Sequence, residues 1–303
     1  MELRWQPSFD VSALHAAWAV ASGRQLIDVD LQAELAPAAA ELERPIGFWN
    51  VPHAVYWRQL LALSADIPSN EQLAERLSNR LQPGGASRFG ISQLAAAIGH
   101  CEAIARRRFP RMLEELVLRS GPLQLAWEAR GPGLLFMLSE ATESDFIVES
   151  ATVLLVQPVV GGDGMAHITT NRVHIESLLT DADSRLPETL RLAWLLGQLN
   201  LDRPVYGENV HGYVLAKVAE LALLPAILAA AENLQLARLD ATTLQLALVH
   251  WLRMPAERLE WLSDVLMAWW ETVTESQWPW STALAALPKM LDQDRAGNLL
   301  GPN

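Results

Sequence analysis

Residues 151–176 read ATVLLVQPVVGGDGMAHITTNRVHIE, and this stretch decides what kind of fold the chain can adopt. Its first ten residues form an apolar run rich in valine and leucine, which is typical of a β-strand. The glycines at 161–164 indicate a hairpin turn, and residues 165–170 predict the returning strand. Elsewhere apolar residues recur mostly at helical spacing. The stretch therefore predicts the point where a small sheet gives way to helices.

Further short apolar runs at 123–129, 133–138 and 145–150 predict other strands, so we expect three to five strands in all. The expected fold class is mainly α-helical (α+β), with helical lobes around a small antiparallel β insert near residues 121–172. We expect one cooperative unit with two lobes, hinged near residues 82–90 or around the sheet. Its regions would be an N-terminal helical region at 1–81, a long kinked helix at 91–119, the β-rich insert at 121–172 and a C-terminal helical region at 173–303.

Local signals predict where several helices begin and end. Ser69 and Gln72 form a capping-box pattern at a helix start, and Asp240 is a suitable N-cap for a later helix. Pro110 is expected to kink or divide the helix at 91–119, and Gly121-Pro122 to end it. Asn171, or a threonine beside it, is expected to cap a helix that follows the sheet.

Composition limits the class of protein. Half of the 303 residues are hydrophobic and 19% are charged, which is typical of a folded globular chain. The single cysteine, Cys101, excludes a disulfide within the chain and zinc sites built on several thiolates. The N-terminal residues lack the pattern of a secretory signal, so we expect a cytoplasmic protein. The longest apolar stretch, 218–231, contains Glu220 and Pro225 and predicts a buried helix, with no membrane span.

The charge of the chain is negative and unevenly distributed. A net charge of −12 argues against general nucleic-acid binding, which needs a basic surface. Residues 80–119 carry seven Arg and three Glu, whereas residues 140–188 carry nine acidic residues and two Arg. These segments could attract each other within one chain or between two chains, or could be ordinary solvated faces. The ratio of 21 Arg to 2 Lys is typical of a GC-rich bacterial genome.

Four side chains are the candidates for catalysis: His167, His174, Glu176 and Glu188. Two neutral imidazoles and a carboxylate can bind zinc or iron, or can move protons. No HExxH motif is present, and His167 and His174 are seven residues apart, an odd offset that puts them on opposite faces of a single strand. A strand followed by a helix could bring them together. The metal is unknown, and no cofactor is predicted.

Two other features could bind an anion. The glycine turn at 161–164 offers backbone N–H groups, although it lacks the ending of a phosphate loop. The densest basic cluster is the second feature, and two of its members, Arg107 and Arg111, are expected to share a helical face. Such arginines grip phosphate or carboxylate groups, or an acidic partner, and could equally pair with nearby glutamates. The cluster consists of Arg106, Arg107, Arg108 and Arg111.

Five of the twelve tryptophans lie close together near the C-terminus. Large aromatic side chains most often belong to the core. Trp269 and Trp270, however, must point to different faces of one helix, which favours an interface. The predicted interface residues are Trp261, Trp269, Trp270, Trp278 and Trp280.

Two functional hypotheses follow. The first is a cytoplasmic interaction or scaffold protein that self-associates or docks a protein partner through the Trp-rich helices and the oppositely charged segments. Three observations favour it: the absence of a catalytic motif such as GxSxG, the surplus of tryptophan and the two segments of opposite charge. The alternative is a metal-dependent or acid/base hydrolase-like enzyme that uses His167, His174 and nearby carboxylates, with His211 as a further candidate.

Overall fold

The computed structural model describes residues 1–82, 84, 87–208, 210 and 212–293. His211 and part of the predicted hinge at 82–90 lie outside the described residues. The strands of the described chain are β1 (Glu2–Pro7), β2 (Ser150–Val156), β3 (Gly164–His167) and β4 (Arg172–Glu176). The helices there are α1 (Phe9–Ala21), α2 (Val29–Trp49), α3 (His53–Ser64), α4 (Asn70–Leu81), α5 (Arg88–Arg108), α6 (Met112–Ala141), α7 (Glu188–Leu196), α8 (Pro204–Gly207), α9 (Gly212–Asn233), α10 (Ala241–His250), α11 (Ala256–Ser276) and α12 (Trp280–Gln293).

The predicted fold class is confirmed. The protein is 66% helical and contains a small mixed sheet of four strands in the described residues. The strand order is β1-β2-β4-β3, and β3 pairs antiparallel with β4. The position of the sheet in the sequence differs from the prediction, because one edge strand comes from the N-terminus and the other strands begin only at residue 150.

Residues 123–138, which were predicted to form strands, belong to the long helix α6. Buried apolar side chains recur along it with helical spacing at Leu123, Trp127, Leu134 and Leu138. The helix also continues through Gly121-Pro122, where it was predicted to end. A proline inside a helix costs about 3 kcal/mol. Burial of each large apolar side chain contributes roughly 1.5–3 kcal/mol, which offsets that cost over several turns.

The hairpin turn lies later in the chain than predicted. Strand β2 neighbours β4 and not β3, so the glycines at 161–164 connect strands that are not adjacent. The turn between β3 and β4 is the 3-10 segment Ile168–Thr170 followed by Asn171. Asn171 has φ +48°, a left-handed conformation that asparagine tolerates better than most residues. It therefore ends a turn before a strand and does not cap a helix.

The chain forms two compact units whose boundaries fall inside β1, α6 and β2. The N-terminal unit, residues 5–119 and 154–161, is built from α1 to α5 and the start of α6. Helix α5 packs on α1, α2 and α4. As predicted, the Ser69 hydroxyl caps α4 by accepting from the Gln72 N–H at 3.4 Å, and residues 109–111 separate α5 from α6 at Pro110. Cys101 is buried in this unit, and burial raises the pKa of its thiol to about 12.

The C-terminal unit contains residues 1–4, 120–153 and the described residues from 162 to 293. Helix α9 is at its centre and packs on α7, α10, α11 and α12, while α7 packs on β3 and β4. As predicted, Asp240 caps α10 by accepting from the Thr243 N–H at 2.8 Å. The segment Val214–Asn233 of α9 has a mean hydropathy of 2.0, so by length and composition it could cross a membrane. A buried core helix passes the same test, and 72% of that segment is buried.

Candidate functional site

His167 and His174 lie against each other in the C-terminal unit. The Nε2 atom of His167 is 2.9 Å from Nδ1 of His174, and both side chains are buried. The register pairs His167 with Arg172 and Met165 with His174, so the two histidines are diagonal neighbours on one face of the hairpin. An odd offset separates side chains on one strand, but the antiparallel pairing of β3 with β4 brings them together. His174 lies on strand β4, so the second residue comes from a strand and not, as the sequence had suggested, from a helix.

Two histidines alone do not make a structural metal site, which needs further ligands. Within the part of the chain that the structure describes, no group of three or more His, Cys, Asp or Glu side chains is arranged to hold a metal ion. The contact between the rings is a hydrogen bond in which one nitrogen donates and the other accepts. The pair can therefore hold a proton between two imidazoles.

Glu176 is fully buried, and the glycine turn binds it. Its Oε2 atom accepts a 2.6 Å hydrogen bond from the Gly162 N–H. The carbonyl of Gly162 accepts from Arg253 at 3.3 Å. From its sequence, this turn could bind an anion through backbone N–H groups. In the structure one such N–H binds a carboxylate of the same chain.

The guanidinium of Arg191 is packed against the same turn. A Cβ atom at Gly162 would lie 2.5 Å from Arg191 Nη1, so the buried guanidinium would have to shift to admit a side chain there. Gly162 also has φ +117°, which disfavours other residues. A Cβ at Gly164 would lie 2.6 Å from the carbonyl oxygen of His174. The glycines are therefore required by the close approach of a buried cation and a neighbouring strand.

Glu188 and Arg191 form a buried ion pair in the first turns of α7. The distance from Arg191 Nη2 to Glu188 Oε1 is 3.3 Å, and both side chains are almost fully buried. Burial raises the pKa of Glu188, although Arg191 opposes the shift. Burial also lowers the pKa of Arg191, against the attraction of Glu188 and Glu176. Sequence reasoning did not single out Arg191, because one arginine in an apolar helix carries no motif.

A cavity of about 160 Å³, here called the α7 cavity, opens beside this ion pair. Glu188 and Thr189 line it from α7. Asp181 also lines it and accepts a 2.8 Å hydrogen bond from the Glu188 N–H, which caps the start of α7. The remaining lining residues are Pro122, Leu123, Ala126, Arg130, Leu178, Leu179, Thr180 and Pro187.

Two members of the basic cluster bind carboxylates of α2. Arg107 Nη2 lies 2.6 Å from Glu34 Oε2, and Arg108 Nε lies 2.6 Å from Asp28 Oδ2. These partners differ from the glutamates considered from the sequence, because α5 packs along α2 in the N-terminal unit. Both arginines are thus paired with carboxylates of their own chain.

The other two arginines of the cluster are placed differently. The Arg106 guanidinium lies 4.5 Å from the ring centroid of Phe9, in a cation–π contact. Arg111 is exposed and lies in the break between α5 and α6. Arg107 and Arg111 therefore do not share one helical face, contrary to the prediction. Binding of an external anion by the cluster stays a prediction.

Three of the five C-terminal tryptophans are buried in the C-terminal unit. Trp269 contacts Trp270 and Trp280, with ring centroids 6.1 Å and 5.8 Å apart, and its indole N–H donates to the Ala283 carbonyl. The sequence predicted that these three residues belong to an interface. The structure corrects this prediction, because all three side chains are buried in the core. Trp261 is half-buried, and Trp278 is 36% exposed. An interface role stays a prediction for these two.

One face of α6 exposes apolar residues that sequence reasoning had assigned to strands. Leu125 is 69% exposed and Phe136 is 62% exposed. They belong to a row of exposed apolar residues spaced alternately three and four apart, over about 21 Å of helix. We call this row the α6 face, and it consists of Pro122, Leu125, Ala129, Pro132 and Phe136.

Replacement of Arg191 by methionine is expected to destabilise the C-terminal unit strongly. The change keeps most of the side-chain volume but leaves the buried Glu188 and Glu176 without their cation, which costs about 3–5 kcal/mol of unfolding free energy. Urea denaturation measures this loss. The matched control is Arg185→Met, because Arg185 pairs with Asp183 at the surface, where solvent screens the pair and its loss should change stability far less. Equal losses in the two variants would contradict a structural role for the buried pair.

Replacement of Glu188 by glutamine is expected to change the pH dependence of stability. A carboxyl whose pKa is higher in the folded chain binds its proton more tightly there, so its contribution to stability falls as the pH rises above the unfolded value of 4.5. Glu188→Gln removes this loss. The stability of the variant relative to wild type should therefore be greater at pH 8 than at pH 5 in thermal unfolding. Glu140→Gln, at an exposed position of α6, is the control; a difference that does not change with pH for Glu188→Gln would refute the assignment.

No family model, curated protein or solved structure matches this chain. Its functional hypotheses therefore rest on the sequence and on the side-chain geometry of the described residues.

Proposed function

We propose that this protein is an interaction protein that docks a helical segment of a partner protein on the α6 face. The partner segment is a basic amphipathic helix. The observation that carries the proposal is the row of exposed apolar side chains on α6, because a contiguous exposed apolar surface marks an interaction site more often than scattered single residues do.

The spacing of the α6 face favours a helix as its partner. Apolar residues that alternate three and four apart repeat every 3.5 residues, the spacing that allows side chains of two helices to interlock. Beside one end of the row is a cavity of about 320 Å³ lined by Pro132, Phe136 and Ile147. A large apolar side chain of the partner can insert there and contribute most of the affinity.

The surrounding charge favours a basic partner over a second copy of this chain. Residues 121–303 carry 22 acidic and 11 basic residues, a net charge of −11. Glu149 lines the cavity beside Phe136, and Asp181 lines the α7 cavity beside Pro122. Two such surfaces would repel each other, whereas a basic helix would be attracted and correctly oriented.

This proposal keeps the first hypothesis drawn from the sequence and moves its contact residues. Trp269, Trp270 and Trp280 are in the core, so they cannot form the contact surface. The acidic residues of the C-terminal half keep the role that was expected from the sequence, which is to attract a segment of opposite charge. The basic segment at 80–119 has some of its charge paired with α2.

The test uses a synthetic helical peptide with leucine at every third and fourth position in alternation and lysine or arginine elsewhere. We expect saturable binding by fluorescence anisotropy. The double variant Leu125→Asp with Phe136→Asp should weaken binding by about 100-fold or more, because each buried side chain contributes roughly 1.5–3 kcal/mol.

The controls separate this site from general attraction of a basic peptide to an acidic protein. Phe48→Asp with Phe89→Asp changes two other highly exposed phenylalanines and should leave binding unchanged. A peptide with glutamate in place of lysine and arginine should not bind. Equal binding by both double variants would refute the site. A dimer in sedimentation that dissociates in the α6 variant would show that the occupant is a second copy.

The enzymatic alternative is favoured by one observation, the contact between His167 and His174. Among the described residues, no Asp, Glu, His or Cys side chain is placed to join this pair around a metal ion. A metal bound here would therefore need other ligands, such as water. The test is metal analysis of the purified protein after exposure to zinc. Stoichiometric zinc that is lost in His174→Ala and retained in His100→Ala would support this function. Zinc absent from the wild type, or retained in His174→Ala, would remove it.

A further inference from the structure

We infer that one end of the N-terminal unit binds the surface of an anionic lipid membrane. Two exposed phenylalanines, Phe48 and Phe89, enter the headgroup region, and Arg80 and Arg88 bind the lipid phosphates. This site is separate from the docking function proposed for the α6 face and does not depend on it. The inference rests on the helix ends that bring these residues to one place, on the exposure of the two rings and on the local charge.

The packing of α5 on α2 places Phe48 and Phe89 at the same end of the unit. Arg108, the last residue of α5, donates a hydrogen bond to Asp28, the N-cap of α2. The two helices also pack along each other, and each has 21 residues. Both observations hold only if the helices are antiparallel, so α5 begins where α2 ends. Phe48 is the next-to-last residue of α2, and Phe89 is the second residue of α5.

Helix α4 brings a further arginine to this end. Asn70, the first residue of α4, donates to Glu102 of α5 at 2.9 Å. Because α4 packs along α5 and a short connection joins them, these helices are antiparallel as well. The last turn of α4 therefore lies beside the first turn of α5. Arg80 and Arg88 are exposed at the end that carries Phe89.

The exposure of the two rings favours a membrane over a protein partner. Phe48 is 86% exposed, the largest value for a large apolar side chain in the described part of the chain, and Phe89 is 71% exposed. A protein partner would need a fitted pocket for each ring. The interface of a bilayer accepts phenylalanine side chains without a pocket, and removing them from water stabilises binding.

The local charge is positive, although the chain as a whole carries −12. Residues 41–59 and 75–95 form this end, and their five arginines against three glutamates give a formal net charge of +2. Arginines close to an anionic membrane each add to the attraction. An acidic surface would be repelled by most of this chain and attracted at this end. The arginines are Arg44, Arg58, Arg76, Arg80 and Arg88, and the glutamates are Glu41, Glu43 and Glu75.

Two of the three glutamates are bound within the unit. Glu41 pairs with Arg44 on the surface of α2. The Glu43 carboxylate contacts the His53 ring and accepts a 3.0 Å hydrogen bond from the indole N–H of Trp57. These contacts hold the carboxylates on α2, away from the last turn of α4. The arginines beside Phe89 are therefore the charges that meet the lipid phosphates.

Vesicle sedimentation of the full chain at low ionic strength tests this site. The vesicles contain phosphatidylcholine alone, or phosphatidylcholine with an equal part of phosphatidylglycerol. We expect binding about tenfold or more stronger to the anionic vesicles, and we expect added salt to weaken it. Phe48→Asp with Phe89→Asp should reduce binding by about tenfold or more, whereas Phe48→Leu with Phe89→Leu should keep most of it. Arg80→Gln with Arg88→Gln should reduce binding to anionic vesicles by about tenfold.

Two control variants have matched changes in the C-terminal unit. Leu125→Asp with Phe136→Asp removes an exposed apolar pair, and Arg130→Gln with Arg238→Gln removes two exposed positive charges. Both should bind vesicles as the wild type does. Since the first of them should lose the helical peptide and keep the vesicles, failure of the docking function and failure of this site are distinguishable.

Three results would overturn the inference. They are no binding to anionic vesicles, equal binding to neutral vesicles, and wild-type binding by Phe48→Asp with Phe89→Asp. A soluble polyglutamate peptide gives a further check. If it binds as tightly as the vesicles and is lost in Arg80→Gln with Arg88→Gln, the occupant is an acidic protein segment and the membrane assignment is wrong.

Discussion

The burial of the Arg191 charge is the constraint on which the C-terminal unit depends. A guanidinium cannot leave water without compensation, because transfer of an ion into the interior costs several kcal/mol even after relaxation. Glu188 lies 3.3 Å from it, and the buried Glu176 also attracts it. This charge therefore requires that α7 and the strand ending at Glu176 lie side by side.

The same constraint explains the glycine turn. Gly162 approaches the Arg191 guanidinium so closely that a Cβ atom has no room, and its N–H binds the Glu176 carboxylate. Gly164 approaches the backbone of β4 with similar closeness. The turn is thus one wall of a buried cluster of charges formed by Arg191, Glu176 and Glu188. Glu188 completes this cluster from the start of α7, 3.3 Å from the Arg191 guanidinium.

The apolar residues of the chain divide between core and surface in a way that composition does not reveal. Tryptophans near the C-terminus join Phe146 and Tyr206 in an aromatic core, with Phe146 5.7 Å from both Tyr206 and Trp280. Leucine and phenylalanine on one side of α6 remain exposed instead. Glu143 supports the aromatic core by accepting hydrogen bonds from the Tyr206 hydroxyl and from the backbone N–H of Trp280, each at 3.0 Å. Exposed apolar surface is therefore present on α6, whereas Trp269, Trp270 and Trp280 of the Trp-rich helices lie in the core.

The sequence by itself determined the fold class, the strand character of residues 153–156 and several helix ends, because these depend on periodicity and on local capping by Ser69 and Asp240. It could not determine that residues 123–138 are helical, since short apolar runs fit either period until packing selects one. Contact between His167 and His174 depended on strand register, and the burial of Glu188 beside Arg191 on how α7 packs. These are contacts between residues whose relative positions only the tertiary structure decided, because no local pattern encodes them.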